Sequence, residues 1–414
     1  MQKKNLLIIA GTLGIGGIET YIARLCNALK EDVNISILLF SKKRNSNDLI
    51  SEVSLNSKIF YLSEYSSSKY IEKLDSSYLN IIFPLNHKKL NRDMGKLDYI
   101  HCVNSLTNII GMKIIKYNKD AVITSGIYHS LEYLWSSRFY FRKVQKEFIR
   151  NLPAENLISG NMEMSELLST EYDQKFINMP ILPIGIDCSK YSVSYPNKYS
   201  KKVITVARLV KFKTYIEHFI NIIDSINNLG YDIEYHIYGD GEERNKLEEL
   251  AKSKKSKIFF HGSINYNLLP EVFENTLLFI GGGSTIIEAS SSGIPSIIGI
   301  ESEKELSSYG FFGELDGLSF NRNDLKIKRY SMQKLVEEIL KCSDDEYNHI
   351  CKKHKNKADE FNIENTKIKF LRIQENAVKF NYRFSSFRYS LSLLSWILLN
   401  KLNILNENKY MYDK

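Results

Sequence analysis

Near its start the chain carries a short apolar run at 5–10. A glycine-rich stretch follows, and then apolar positions at helical spacing: Ile18, Tyr21, Ile22, Leu25 and Leu29. A run of that length without alternation reads as a strand buried on both faces, and the 3.6-residue period after it predicts a helix over 18–30. Further strands are predicted at 33–40, 97–103, 121–127 and 156–159, with helical stretches between them. The alternation then restarts with strand 201–207, helix 213–229, strand 232–238, helix 242–253 and strand 257–260, and it continues to residue 300. Strand, helix, strand in succession demands parallel sheets with right-handed crossovers. The fold class is therefore α/β, two Rossmann-like doubly wound domains with a C-terminal helical extension at 331–342, 344–361 and 365–378. The least regular stretch, 183–200, holds Pro183, Gly185 and Pro196 and reads as the linker. The expected division is 1–190, 191–362 and 363–414, the last returning to the first domain.

A length of 414 residues suits two cores rather than one. Hydrophobic residues at 43% and charged residues at 25% exclude disordered and collagen-like classes. The five cysteines are scattered without a CxxC pair, so neither a disulfide framework nor a zinc site is indicated and a reducing cytoplasm is expected. The apolar run after Met1 is too short for a secretory signal. A net charge of +8 suits nucleic acid, a polyanionic small substrate or an anionic membrane. No helix-turn-helix, RNP-like or zinc pattern supports the first of these.

Three segments carry candidate chemistry. Gly11, Gly14, Gly16 and Gly17 form a loop between the first strand and the first helix, where backbone N–H groups can cradle a phosphate. A nicotinamide dinucleotide would want an acid at the end of the second strand, and the chain offers Lys42, Lys43 and Arg44 there, which disfavours NAD. Arg208, Lys211 and Lys213 stand where a strand ends and a helix begins, facing any anion bound at the carboxyl edge of the sheet, or only solvent. Gly281, Gly282 and Gly283 lead through Ser284 and Thr285 into another helix start, with Glu288 one turn in.

Taken together these segments resemble the retaining GT-B glycosyltransferases of family 4, from the first strand to about residue 378. Gly16-Gly17-Ile18-Glu19 is similar to the family's glycine loop, Pro183-Ile184-Gly185-Ile186-Asp187 to its PNGID turn, and Arg208 with Lys213 to its phosphate-binding pair. Gly239-Asp240-Gly241 is similar to its GDG turn, and Glu288-Ala289 with Gly293-Ile294-Pro295 to its EA and GxP segment. The resemblance implies a nucleotide-diphosphate sugar donor, UDP-sugar first among them, held by the C-terminal domain with chemistry in the cleft. It implies a glycan or lipid-linked acceptor on the N-terminal domain and a role in bacterial surface polysaccharide synthesis. Arg208 and Lys213 would neutralise the leaving diphosphate in place of a metal, so no metal and no cofactor are expected. Glu288 would hold the ribose, Gly14, Gly16, Gly17, Gly239, Gly281, Gly282, Gly283, Ser284 and Thr285 would line the donor site, and His129 would be the active-site histidine, with His101 its rival. The chain departs from the pattern at Ile280, where the family has the first of two glutamates, at Ile184 and at Ala207. A UDP-sugar epimerase of the same fold and a non-catalytic nucleotide-sugar binder remain as alternatives.

No DxD-like acid pair stands at a predicted strand end, and Asp344-Asp345 reads as a helix cap. Arg138, Arg142, Lys146 and Arg150 recur every four residues, which suits either a solvated helix face or contact with anionic lipid. In the tail, aromatic residues interleave with Arg383 and Arg388 ahead of an apolar run at 391–405, too short to span a bilayer. Either that run lies at the membrane interface, placing the enzyme peripherally on the inner face of the plasma membrane, or it packs on the N-terminal domain.

Overall fold

The computed structural model describes residues 3–14, 16–129, 132–135, 138–173, 176, 178–191 and 196–404. Ile15 of the glycine loop, residues 192–195 of the linker stretch and the tail from 405 lie outside the described residues. The chain divides into two units, Met1–Ile184 with Thr366–Lys414, and Gly185–Asn365.

The first unit is built on six parallel strands, β1 (Lys4–Ala10), β2 (Val33–Leu39), β3 (Lys58–Tyr61), β4 (Tyr99–Cys102), β5 (Val122–Ile127) and β6 (Leu157–Ser159), in the order β3-β2-β1-β4-β5-β6. Its helices are α1 (Gly17–Leu29), α2 (Asn47–Ser54), α3 (Lys69–Leu74), α4 (Ser77–Ile82), α5 (His87–Met94), α6 (Ser105–Ile115), α7 (Tyr140–Asn151) and α8 (Met162–Tyr172). The second unit carries β7 (Lys202–Val206), β8 (Glu234–Tyr238), β9 (Ile258–Gly262), β10 (Leu278–Gly281) and β11 (Ser296–Ile298), again all parallel, in the order β11-β10-β7-β8-β9. Around it stand α9 (Tyr215–Asn227), α10 (Arg244–Lys252), α11 (Leu269–Phe273), α12 (Ser284–Ser291), α13 (Met332–Lys341) and α14 (Asp344–Asp359). Successive residues of β7 serve opposite faces, Val203 in a core with Phe219, Ile223 and Val336, and Ile204 in a core with Phe279, Ile287 and Phe361. That two-sided burial is why Val203 to Val206 reads in sequence as an uninterrupted β-branched run with no alternation of charged residues.

The cap of α14 is Ser343 rather than the acid pair. Its hydroxyl accepts from the Glu346 N–H and the Glu346 carboxylate accepts from the Ser343 N–H, while Asp344 pairs with Lys198 at 2.7 Å.

Two helices close the described chain, α15 (Ile363–Asn376) and α16 (Ser386–Lys401). Tyr389, Leu393 and Trp396 of α16 lie in the core of the first unit. Ahead of them an extended stretch turns Phe380, Tyr382 and Phe384 toward the same core and leaves Lys379 and Arg383 exposed, a period of two.

The basic positions around α7 are not equivalent, and only one of them is buried. Arg142 is 4% exposed, its guanidinium about equidistant from the Trp135, Phe141 and Trp396 rings at 5.5–5.6 Å. Lys146 donates to Glu171 at 2.6 Å, and Arg150 lies over the Tyr172 ring. Arginine's planar, weakly hydrated cation packs on aromatic faces at low cost, so Arg142 turns inward, while Arg138 and Arg150 stay exposed.

Candidate functional site

In a doubly wound sheet the strand order reverses once, and the loops leaving the carboxyl ends of the two strands at that point diverge and open a crevice. In the second unit the reversal lies between β7 and β10. Arg208 leaves β7, and Gly281, Gly282 and Gly283 lead from β10 into α12. The structure joins these segments directly: the Thr285 hydroxyl donates to the Val206 carbonyl at 3.0 Å and to the Gly282 carbonyl at 3.0 Å. Gly283 is the N-cap of α12 with φ at 68°, a left-handed conformation that a side chain would strain. Its N–H donates to Asn321 Oδ1 at 2.9 Å. Ser284 opens the helix, and Glu288, one turn in, is 1% exposed.

The Arg208 loop is braided with the turn after β8. Ala207 donates to the Tyr238 carbonyl and Leu209 to the Asp240 carbonyl, both at 2.9 Å. Gly239 has φ at 139°, and a Cβ there would stand 1.8 Å from the Ala207 carbonyl oxygen, so only glycine admits this approach. Gly239 thus shapes the cationic loop from behind. Arg208 is exposed, whereas Lys213 sits deeper. Burial lowers the Lys213 pKa and the charge of Arg208 adds to the effect, while Glu301 opposes it. Burial likewise raises the Glu301 carboxyl, with Lys213 pulling it down. Arg208, Lys213 and Glu301 therefore share one electrostatic neighbourhood.

In the first unit the reversal lies between β1 and β4. Gly14 and Gly16 follow β1, and Gly17 begins α1. The loop is tied to the segment after β2: Leu13 donates to Asn45 Oδ1 at 2.8 Å and Ser46 donates to the Leu13 carbonyl at 2.7 Å. Glu19 lies in the first turn of α1 with its carboxylate folded against Gly16. His129 is exposed just beyond β5. His101, its rival, is 1% exposed, with Nδ1 at 3.0 Å from the Thr124 hydroxyl and Nε2 at 3.0 Å from the Tyr128 hydroxyl. Burial alone lowers its pKa to about 3. A histidine so enclosed serves the interior, and His129 is the accessible one of the two.

Three positions of note escaped the sequence reading. Glu301 lies three residues beyond the end of β11, and an acid just past a strand end is a signal that could have been weighed. Asn321 reaches the triglycine segment across 38 residues, and no local pattern announces it. Glu132 accepts from the Ser105 N–H at 2.6 Å at the start of α6, and burial raises its carboxyl to about 7 although that hydrogen bond pulls the other way.

Residues 192–360, most of the second unit, match the family model for glycosyl transferases group 1. A curated relative, the GtfA subunit of the UDP-N-acetylglucosamine–peptide N-acetylglucosaminyltransferase of Streptococcus agalactiae, is 26% identical over 138 residues, which are 31% of this chain and 27% of that protein. The chain thus matches about a quarter of that relative's length. The structure resembles a glycosyltransferase from Rickettsia africae with a TM-score of 0.64 at 13% identity, covering 91% of this chain and 98% of that one. It also resembles Anabaena Alr3699/HepE, solved with UDP and glucose, with a TM-score of 0.60 at 13% identity, covering 89% and 98%. The fold of the chain is thus the one these glycosyltransferase structures share, and the match to glycosyl transferases group 1 covers 192–360.

Proposed function

We propose that the protein transfers a sugar from a nucleotide-diphosphate sugar, a UDP-sugar, to a glycan or lipid-linked saccharide, with retention and without a metal, in bacterial surface polysaccharide synthesis. The observation that carries this reading is the grouping of Arg208, Lys213 and the start of α12 at the strand reversal of the second unit. When the bond between sugar and diphosphate breaks, negative charge builds on the leaving phosphate. Cations already fixed there favour the transition state over the bound substrate. Arg208 offers a planar fork to the phosphate oxygens, and Lys213 adds a second charge that gains most when an anion replaces the solvent it has lost. The N–H groups opening α12 point their dipole at the same phosphates. Glu288 is assigned the ribose hydroxyls. In the first unit the glycine loop and His129 are the positions proposed to meet the sugar and the acceptor. UDP as carrier is supported by the name of the streptococcal relative and by the UDP bound to the Anabaena neighbour.

The test is incubation with UDP-sugars, with and without saccharide acceptors, followed by proton NMR of the fresh product. An α-configured donor should yield an α-linked product, and EDTA should leave the rate unchanged. An inverted anomer, or activity abolished by EDTA and restored by magnesium or manganese, overturns the corresponding part of the reading. Conversion of the UDP-sugar without any acceptor would favour the epimerase alternative.

A further inference from the structure

Helix α16 has two apolar faces, and the fold uses only one. Tyr389, Leu393 and Trp396 are buried in the first unit. Phe387, Leu391, Leu394, Leu398 and Leu402 are 78%, 56%, 37%, 52% and 67% exposed. At 3.6 residues per turn these five fall within about 80° of arc, opposite the buried three, so they form one continuous stripe along the helix. Singly exposed leucines are ordinary, but an aligned row of five marks a surface that meets something apolar.

The charge around the stripe says what that is. From Asn376 through Asn406 the sequence has Lys379, Arg383, Arg388 and Lys401 and no acidic residue. Arg383, Arg388 and Lys401 are exposed. A second copy docking through the same face would set these cations against their own images, an arrangement that repels. No described helix is long and apolar enough to cross a membrane. We propose that α16 lies on the surface of an anionic phospholipid bilayer, its outward stripe in the acyl boundary and its flanking cations among the headgroups. The helix is then a tether built into the core of the first unit: its inner face holds the fold and its outer face holds the lipid. The purpose, access to a lipid-linked acceptor, rests on the function proposed above, but the binding itself does not.

The full chain would be sedimented with vesicles of phosphatidylcholine containing phosphatidylglycerol, and with vesicles of phosphatidylcholine alone. Binding should require the anionic lipid and weaken as salt rises. The triple variant Leu391→Ser, Leu394→Ser, Leu398→Ser should lower partitioning about tenfold or more. Because those side chains face outward, the variant should melt as the wild type does and keep its thermal shift with UDP. The triple variant Arg383→Gln, Arg388→Gln, Lys401→Gln should lose the preference for anionic vesicles. Failure of the wild-type chain to bind anionic vesicles, or equal binding by the leucine variant, overturns the proposal. A concentration-dependent dimer that the leucine variant abolishes would assign the stripe to a second copy and overturn it too. Loss of the UDP shift in the wild type would count against the donor site alone.

Discussion

Arg208 and Glu288 are assigned to one nucleotide but to different parts of it, and the variants should show as much. Arg208→Ala removes a charge-assisted contact to phosphate and Glu288→Ala a hold on ribose, so each should weaken UDP binding by roughly 1.5–3 kcal/mol. Arg208→Lys should stay impaired, because an ammonium cannot reproduce the fork. Calorimetric titration with UDP checks both, and unchanged affinity in the two alanine variants would refute the assigned site. His101 and Glu132 make a second residue-scale case, with opposite signs. Between its folded value of about 3 and its usual 6.5, His101 binds a proton only in the unfolded chain, so its contribution to stability falls as pH falls across that window. Glu132, raised from 4.5 to about 7, binds the extra proton in the folded state, so its contribution grows as pH falls from 7 to 4.5. Each slope is at most about 1.4 kcal/mol per pH unit, so they offset one another between 4.5 and 6.5. Glu132→Gln should therefore become acid-sensitive below pH 6.5, whereas the wild type should weaken only below about 4.5. Urea midpoints at pH 7, 5.5 and 4 would reveal a Glu132→Gln curve parallel to wild type if this account is wrong.

At the scale of elements, α16 and the turn after β8 show how a short segment becomes indispensable. Trp396 is 7% exposed and sits against Tyr78, Phe141 and the guanidinium of Arg142. Trp396→Ala should cost about 3–5 kcal/mol, more than a surface helix of this length would lose by fraying. Denaturation of that variant is the check, and a loss under about 1 kcal/mol would mean that α16 is not part of the core. Truncation after Val378 would for the same reason disturb folding, and it cannot by itself separate core from membrane roles. Alternation of aromatic and polar residues in 379–384 was legible as a pattern. Its meaning was not, because an inward ladder and an interfacial belt share the same period.

Over the whole molecule, each unit owns a sheet and a core, and each should respond to its own perturbation. Gly239→Ala forces a Cβ against a backbone carbonyl and should lower the melting of the second unit, and saturating UDP should raise that same transition, by about 2.7 kcal/mol at a hundredfold excess over Kd. Trp396→Ala should lower the transition that UDP leaves alone. Scanning calorimetry in which UDP shifts the Trp396-sensitive transition instead would place the nucleotide in the wrong unit. The sequence by itself determined the two parallel sheets, because central strands buried on both faces, such as β1 and β10, leave nearly unbroken apolar runs and the crossovers between strands leave helical periods. It likewise marked Arg208, Lys213, Gly281 to Gly283 and Glu288, since cations and glycines at strand ends stand out locally. It missed β3 and the short helices α3 to α5, where few positions are buried and no period develops. Only the tertiary structure decided that the basic positions of α7 pack against aromatic rings, that His101 is enclosed, and that Glu301 and Asn321 reach the cationic loop and the triglycine segment. It alone separated the two faces of α16. Those outcomes depend on neighbours tens to hundreds of residues away, and charge or apolarity in a sequence does not record which way a side chain turns.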